Sequence, residues 1–172
     1  MLIIYTGDGK GKTSAAVGQA MRALGQGLRV AFGQFMKRSG QAGEQKTLAT
    51  LLGDGYTARG KGFLRRDEDR PAHREAALEL LAWAEARLAE PAPEGGAMLL
   101  LDETLYALGA GILERAEVEA IIDHAAASGW HLVLTGRGLT DWLAARADLV
   151  TEMVPVKHPY ASGVTAQPGI EY

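Results

Sequence analysis

Eight residues, Thr6-Gly7-Asp8-Gly9-Lys10-Gly11-Lys12-Thr13, directly follow the apolar run Leu2-Ile3-Ile4-Tyr5 and precede a segment with helical spacing. A strand, a glycine-rich turn closing on Lys-Thr, and a helix together predict a phosphate-binding loop at the start of an α/β fold. The usual pattern begins with glycine; here Thr6 takes that place and Gly7, Gly9 and Gly11 alternate behind it. The physics tolerates the change. Glycines let successive backbone N–H groups converge on phosphate oxygens at a helix N-terminus, where the helix dipole also favours an anion. Gly7, Asp8, Gly9, Lys10, Gly11, Lys12 and Thr13 are therefore candidate nucleotide-binding residues. Lys12 supplies a point charge, and Thr13 a hydroxyl suited to Mg²⁺.

The rest of the chain fits one such domain spanning 1–172. Its 47% hydrophobic and 23% charged content falls in the globular range. A net charge of -3 argues against a duplex nucleic acid as principal partner. With no cysteine there is neither a disulfide framework nor a thiolate zinc site, and the composition suits a reducing cytoplasm. No apolar run reaches transmembrane length, so no membrane partner is expected.

Buried strands and helices alternate along the sequence. After the first strand and a helix ending near Gly25 and Gly27, Leu28 to Met36 reads as a second strand and Lys37 to Gly43 as a polar loop. Glu44 to Leu52 reads as a helix, Tyr56 to Arg59 as a short strand, and Gly60 to Arg70 as a loop. A helix runs from Pro71 to about Ala89, with Ala77, Leu78, Leu81, Ala84 and Leu88 as its apolar positions. The remaining strands are Ala97 to Leu101, His131 to Leu134 and Asp148 to Val154, with helices over Glu117 to Ala127 and Leu139 to Ala147. This alternation predicts a mostly parallel, twisted sheet with helices on both faces, of the RecA-like phosphate-loop type, binding ligands outside the strand C-terminal ends.

Two further strand ends carry chemistry. Leu101 leads into Asp102-Glu103, a pair of acids of which one is expected to serve Mg²⁺, and Thr135-Gly136-Arg137-Gly138 would aim Arg137 at the same sheet edge. A guanidinium suits phosphate because it stays charged and offers planar paired donors. Arg22, nine residues past Thr13, either turns back toward phosphate or is solvated. The four histidines show no metal-ligand spacing, and His73 and His124 are expected on helix surfaces. No general base is evident, which leaves either a strong nucleophile or a water positioned by Glu103.

Taken together, the loop, Gln34-Phe35-Met36-Lys37, Leu101-Asp102-Glu103, Thr135-Gly136-Arg137-Gly138 and the tail from Val156-Lys157-His158-Pro159-Tyr160 through Gly169-Ile170-Glu171-Tyr172 resemble the phosphate-loop ATP:corrinoid adenosyltransferases. The resemblance implies transfer of the adenosyl group of ATP to the Co(I) centre of a corrinoid, with release of triphosphate. It implies Thr13 and Glu103 as Mg²⁺ ligands with Asp102 behind them, Lys12 and Arg137 as catalytic groups, Arg22 near the nucleotide and Phe63 toward the corrin. It also implies a homodimer, and a reduced flavoprotein is a candidate electron donor. Two departures stand out. Family members often carry an N-terminal extension over the corrinoid, whereas this chain begins at its first strand. Many also have Gly-Phe-x-Trp where Gly62-Phe63-Leu64-Arg65 places an arginine. A nucleotide hydrolase or kinase, and a non-catalytic ATP or corrinoid sensor, remain as alternatives at this stage.

Overall fold

Strands that are apolar at successive positions are buried on both faces, and such strands form the centre of a six-stranded sheet here. The computed structural model describes residues 1–172, except the side chains of Tyr160 and Ala161. The strands are β1 (Leu2–Thr6), β2 (Arg29–Gln34), β3 (Tyr56–Ala58), β4 (Ala97–Asp102), β5 (His131–Thr135) and β6 (Leu149–Glu152). The helices are α1 (Lys12–Gly25), α2 (Gly43–Leu52), α3 (Arg70–Leu88), α4 (Thr104–Gly109), α5 (Arg115–Ala127) and α6 (Asp141–Arg146). The sheet order is β3-β2-β4-β5-β1-β6, and every pairing is parallel. The expected α/β architecture is therefore present, with all strand C-termini at one edge.

Side-chain alternation divides the core in two. Leu99, Leu101, Leu132 and Leu134 pack against α3 and α5 on one face, through residues such as Leu80, Val118 and Ile121. Met98, Leu100 and Val133 face the other way, against Ala16 and Ala20 of α1 and Leu48 of α2. This period of two is what a strand dictates. Asp102 ends the central strand β4, at the sheet edge where the loop between β1 and α1 also lies.

Several expected details change. The helix α4 was not anticipated, because it starts one residue after the acidic pair with no turn signal before it. Leu78 is exposed on α3, and His73 is buried at 6% exposure rather than on the surface. The 3.6-residue period puts His73 on the same face as Ala77 and Leu80. The ring nitrogen Nδ1 of His124 bonds Glu85 and so links α5 to α3. Among the described residues no helix is long and apolar enough to cross a membrane.

Candidate active site

The loop between β1 and α1 is shaped by close backbone packing. Gly9 N–H donates to the Met153 carbonyl at 2.7 Å, and Met153 N–H to the Thr6 carbonyl at 2.8 Å. A Cβ on Gly7 would lie 2.4 Å from the Met153 carbonyl oxygen, and Gly7 has φ of +100°, so only glycine fits. Thr6 stands at the vacated first position with a buried side chain, and its backbone is what the loop needs there. Gly11, at φ +120°, precedes α1, whose N-terminus has no side-chain cap and no acid in its first turn. Uncapped N–H groups of this kind are an anion site.

Lys12 is 8% exposed and curls back over the loop, its Nζ donating to the carbonyls of Gly7 and Gly9 at 2.8 Å each. Burial, aided by the Arg137 charge, lowers its pKa below the ordinary lysine value. A triphosphate in this loop would supply the negative charge that the ammonium lacks. Arg137 reaches across from the end of β5, its Nη2 donating to the Asp8 carbonyl at 3.2 Å. Its turn is tight: a Cβ on Gly136 would lie 2.8 Å from the Tyr106 nitrogen.

Asp102 is fully buried and has a dense set of donors. Thr135 Oγ1 donates to it at 2.6 Å, Thr13 Oγ1 at 3.0 Å, and Gln34 Nε2 at 3.0 Å, while the Lys37 ammonium lies at 3.2 Å. Glu103 next to it has φ of +62° and is the non-glycine residue described with a positive φ. Such a conformation is uncommon for glutamate and marks a constrained site. Burial, with the Asp102 charge behind it, raises the Glu103 carboxyl above its ordinary pKa.

Lys12, Thr13, Lys37, Glu103 and Arg137 line one cavity of about 670 Å³, a volume in the range of small-molecule sites. Gly9, Lys10, Gly11, Lys12 and Thr13 form its floor, and Glu103, Arg137 and Phe63 lie on its walls. Tail residues His158 and Gly169 to Tyr172 close one side. Phe63 is 59% exposed and meets Tyr106 edge to face, with ring centres 5.2 Å apart. The adjacent Leu64 packs into the core, so Leu64 anchors this loop and leaves Phe63 facing the cavity. Arg65 is exposed.

Arg22 is not brought to the cavity. It is exposed in the last turn of α1, about 15 Å along the axis from Lys12, and its charge acts on Tyr5. Sequence reasoning also left unassigned Gln34, Lys37 and Thr135, which converge on Asp102, and Glu44, which holds Gln34 and Lys37. The available signals were a glutamine inside an apolar strand and a threonine ending another.

Residues 1–172 match the family described as ATP:corrinoid adenosyltransferase BtuR/CobO/CobP. The chain belongs to this family. A corrinoid adenosyltransferase of Pseudomonas aeruginosa is 38% identical over 173 residues, covering 100% of this chain and 83% of that protein. One from Sinorhizobium is 36% identical, covering 100% of this chain and 80% of that protein. The corrinoid adenosyltransferase CobA of Salmonella typhimurium is 35% identical, covering 100% and 85%.

The residues present fit a divalent cation that arrives with a nucleotide. Among the described residues no cluster of three or more His, Cys, Asp or Glu side chains could hold a metal by itself. A threonine hydroxyl, Glu103 and the buried Asp102 form a hard-oxygen edge, which phosphate oxygens and water would complete.

Proposed function

We propose that this enzyme transfers the 5′-deoxyadenosyl group of ATP to a Co(I) corrinoid in one displacement at the ribose C5′ carbon. The cobalt–carbon bond forms, the C5′–O bond breaks, and its electron pair leaves with triphosphate. Co(I) is itself the nucleophile and needs no deprotonation. The observation that carries this reading is the composition of the cavity. Lys12, Arg137 and the loop N–H donors cluster at the uncapped N-terminus of α1, where a triphosphate would lie.

In this reading Lys12, Arg137 and the N-terminus of α1 stabilise charge developing on the departing triphosphate. Thr13 and Glu103 hold Mg²⁺, with Asp102 orienting Thr13 and acting through water. The metal supplies charge neutralisation at the phosphates. Glu103 is held in place by its own backbone, whose N–H donates to Thr135 Oγ1 at 3.0 Å. Phe63 packs against the corrin. The chain acts as one domain, as a cytoplasmic homodimer supplied with electrons by a reduced flavoprotein.

Anaerobic incubation with chemically reduced cobalamin and MgATP tests the reaction. The expected products are a light-sensitive alkylcorrinoid, seen in its optical spectrum, and intact triphosphate in equal amount. ADP and inorganic phosphate, with no change in the corrinoid spectrum, would replace this reading with phosphoryl transfer.

A further inference from the structure

Asp102 raises a charge problem that the proposed reaction leaves open. The carboxylate is fully buried, and hydrogen bonds from Thr13, Gln34 and Thr135 satisfy its oxygens without neutralising it. A buried charge needs an opposite charge or a metal beside it. Lys37, which follows β2, meets that need. Its Nζ lies 3.2 Å from Asp102 Oδ2, donates to Thr13 Oγ1 at 3.2 Å and pairs with Glu44 Oε1 at 2.8 Å.

Thr13 and Asp102 are two of the three groups read above as the metal edge, Glu103 being the third, and the inference rests on that reading. An ammonium bonded to the Thr13 hydroxyl and to Asp102 takes the place of a cation, because Mg²⁺ would need to approach the Thr13 oxygen to about 2.0–2.1 Å with its waters toward Asp102. The two cannot share the position. Glu44 is the second half of the device. It lies in the first turn of α2, where the helix dipole favours its ionised form, and Gln34 Nε2 braces it at 3.2 Å while also holding Asp102. Gln34 is itself fixed, its Oε1 accepting from Tyr56 at 2.8 Å and Gln45 at 3.0 Å. Lys37 and Glu44 both line the nucleotide cavity. The ammonium can therefore turn from Asp102 toward a phosphate oxygen without leaving Glu44.

We propose that Lys37 is a tethered cation that occupies the metal position of the nucleotide-free enzyme, so that divalent metal enters only together with the nucleotide. Lys37 is thus a positioning residue: it holds a positive charge against Asp102 between turnovers and yields its place when a triphosphate offers it another anion.

The test is a Mn²⁺ titration of nucleotide-free protein, followed by electron paramagnetic resonance of the free ion, in wild type, Lys37→Met and Lys37→Gln. Removing a positive charge this close to a buried carboxylate should tighten binding of Mn²⁺ alone on the order of tenfold or more. Lys37→Gln keeps a polar head among the same oxygens and serves if Lys37→Met does not fold. Adding Asp102→Asn to the folded variant should abolish the gained site. Equal Mn²⁺ affinity in wild type and the folded variants, or a gained site that survives Asp102→Asn, overturns the proposal. A parallel titration with Mn–ATP reports separately on the nucleotide site. Failure of all the proteins to bind Mn–ATP counts against the ATP reading, while the titration with Mn²⁺ alone decides the role of Lys37.

Discussion

Lys12 bonds only to carbonyls of its own loop, so its charge serves a ligand rather than the core. Lys12→Ala is expected to melt like the wild type and to lose about 10²–10³ in adenosyl-transfer rate. Near-normal turnover in that folded variant would remove the loop from the ATP site. Glu103 makes the opposite case, a residue whose backbone is strained for the sake of its side chain. Glu103→Gly releases both the positive-φ penalty and a half-buried carboxylate, so the variant should be more stable by about 1 kcal/mol. In a chain of this length that is a rise in Tm of roughly 2–4 °C. Its Mg²⁺ requirement should rise at the same time, and a variant that is less stable, or unchanged toward Mg²⁺, would contradict the assignment. At this scale the sequence was legible where function depends on neighbours in the chain, as in Gly7 to Thr13. It was silent where function depends on residues far apart, because nothing local shows that Gln34, Lys37 and Thr135 meet at Asp102.

Between elements, α3 and α5 are joined by a paired contact: Arg74 Nη1 and Nη2 donate to the two Glu117 oxygens at 2.6 and 2.7 Å, and Nη1 also reaches the Ile112 carbonyl. The Arg74 hydrogen bonds hold the Glu117 carboxyl below its ordinary pKa of 4.5. A depressed acid contributes stability that is full above the unfolded value and is lost as pH falls through the folded one. Glu117→Gln should therefore cost about 1 kcal/mol at pH 7, and the difference from wild type should shrink as pH falls below about 4.5. Urea unfolding at the two pH values measures it, and a constant difference would mean that packing, not charge, is lost. Helices with long periodic faces, such as α3, were readable in the sequence within a residue or two. The six-residue α4 was not, since Glu103 turns the chain from strand to helix in a single left-handed step that leaves no glycine or proline behind.

Across the whole molecule, the four central strands β2, β4, β5 and β1 were legible because burial on both faces demands long apolar runs, while the strand order was not, since no local pattern records which strand neighbours which. That order matters to the chemistry. β5 lies between β1 and β4, so Thr135 and Arg137 reach the site from one strand while the loop and the acids reach it from its two neighbours. Leu100, fully buried in β4 between these groups and α1, ties the sheet to the loop helix. Leu100→Ala should destabilise the fold by about 2–5 kcal/mol in chemical denaturation, and a loss under 1 kcal/mol would show that the central strand is not the keystone described. The central claim is that ATP is attacked at its ribose carbon and not at phosphorus. ATP labelled with ¹³C at C5′ tests it directly, by nuclear magnetic resonance of the products after anaerobic turnover with a Co(I) corrinoid. The label is predicted in a methylene bonded to cobalt, with all three phosphates released as one triphosphate; label retained in ADP beside free phosphate would contradict the account.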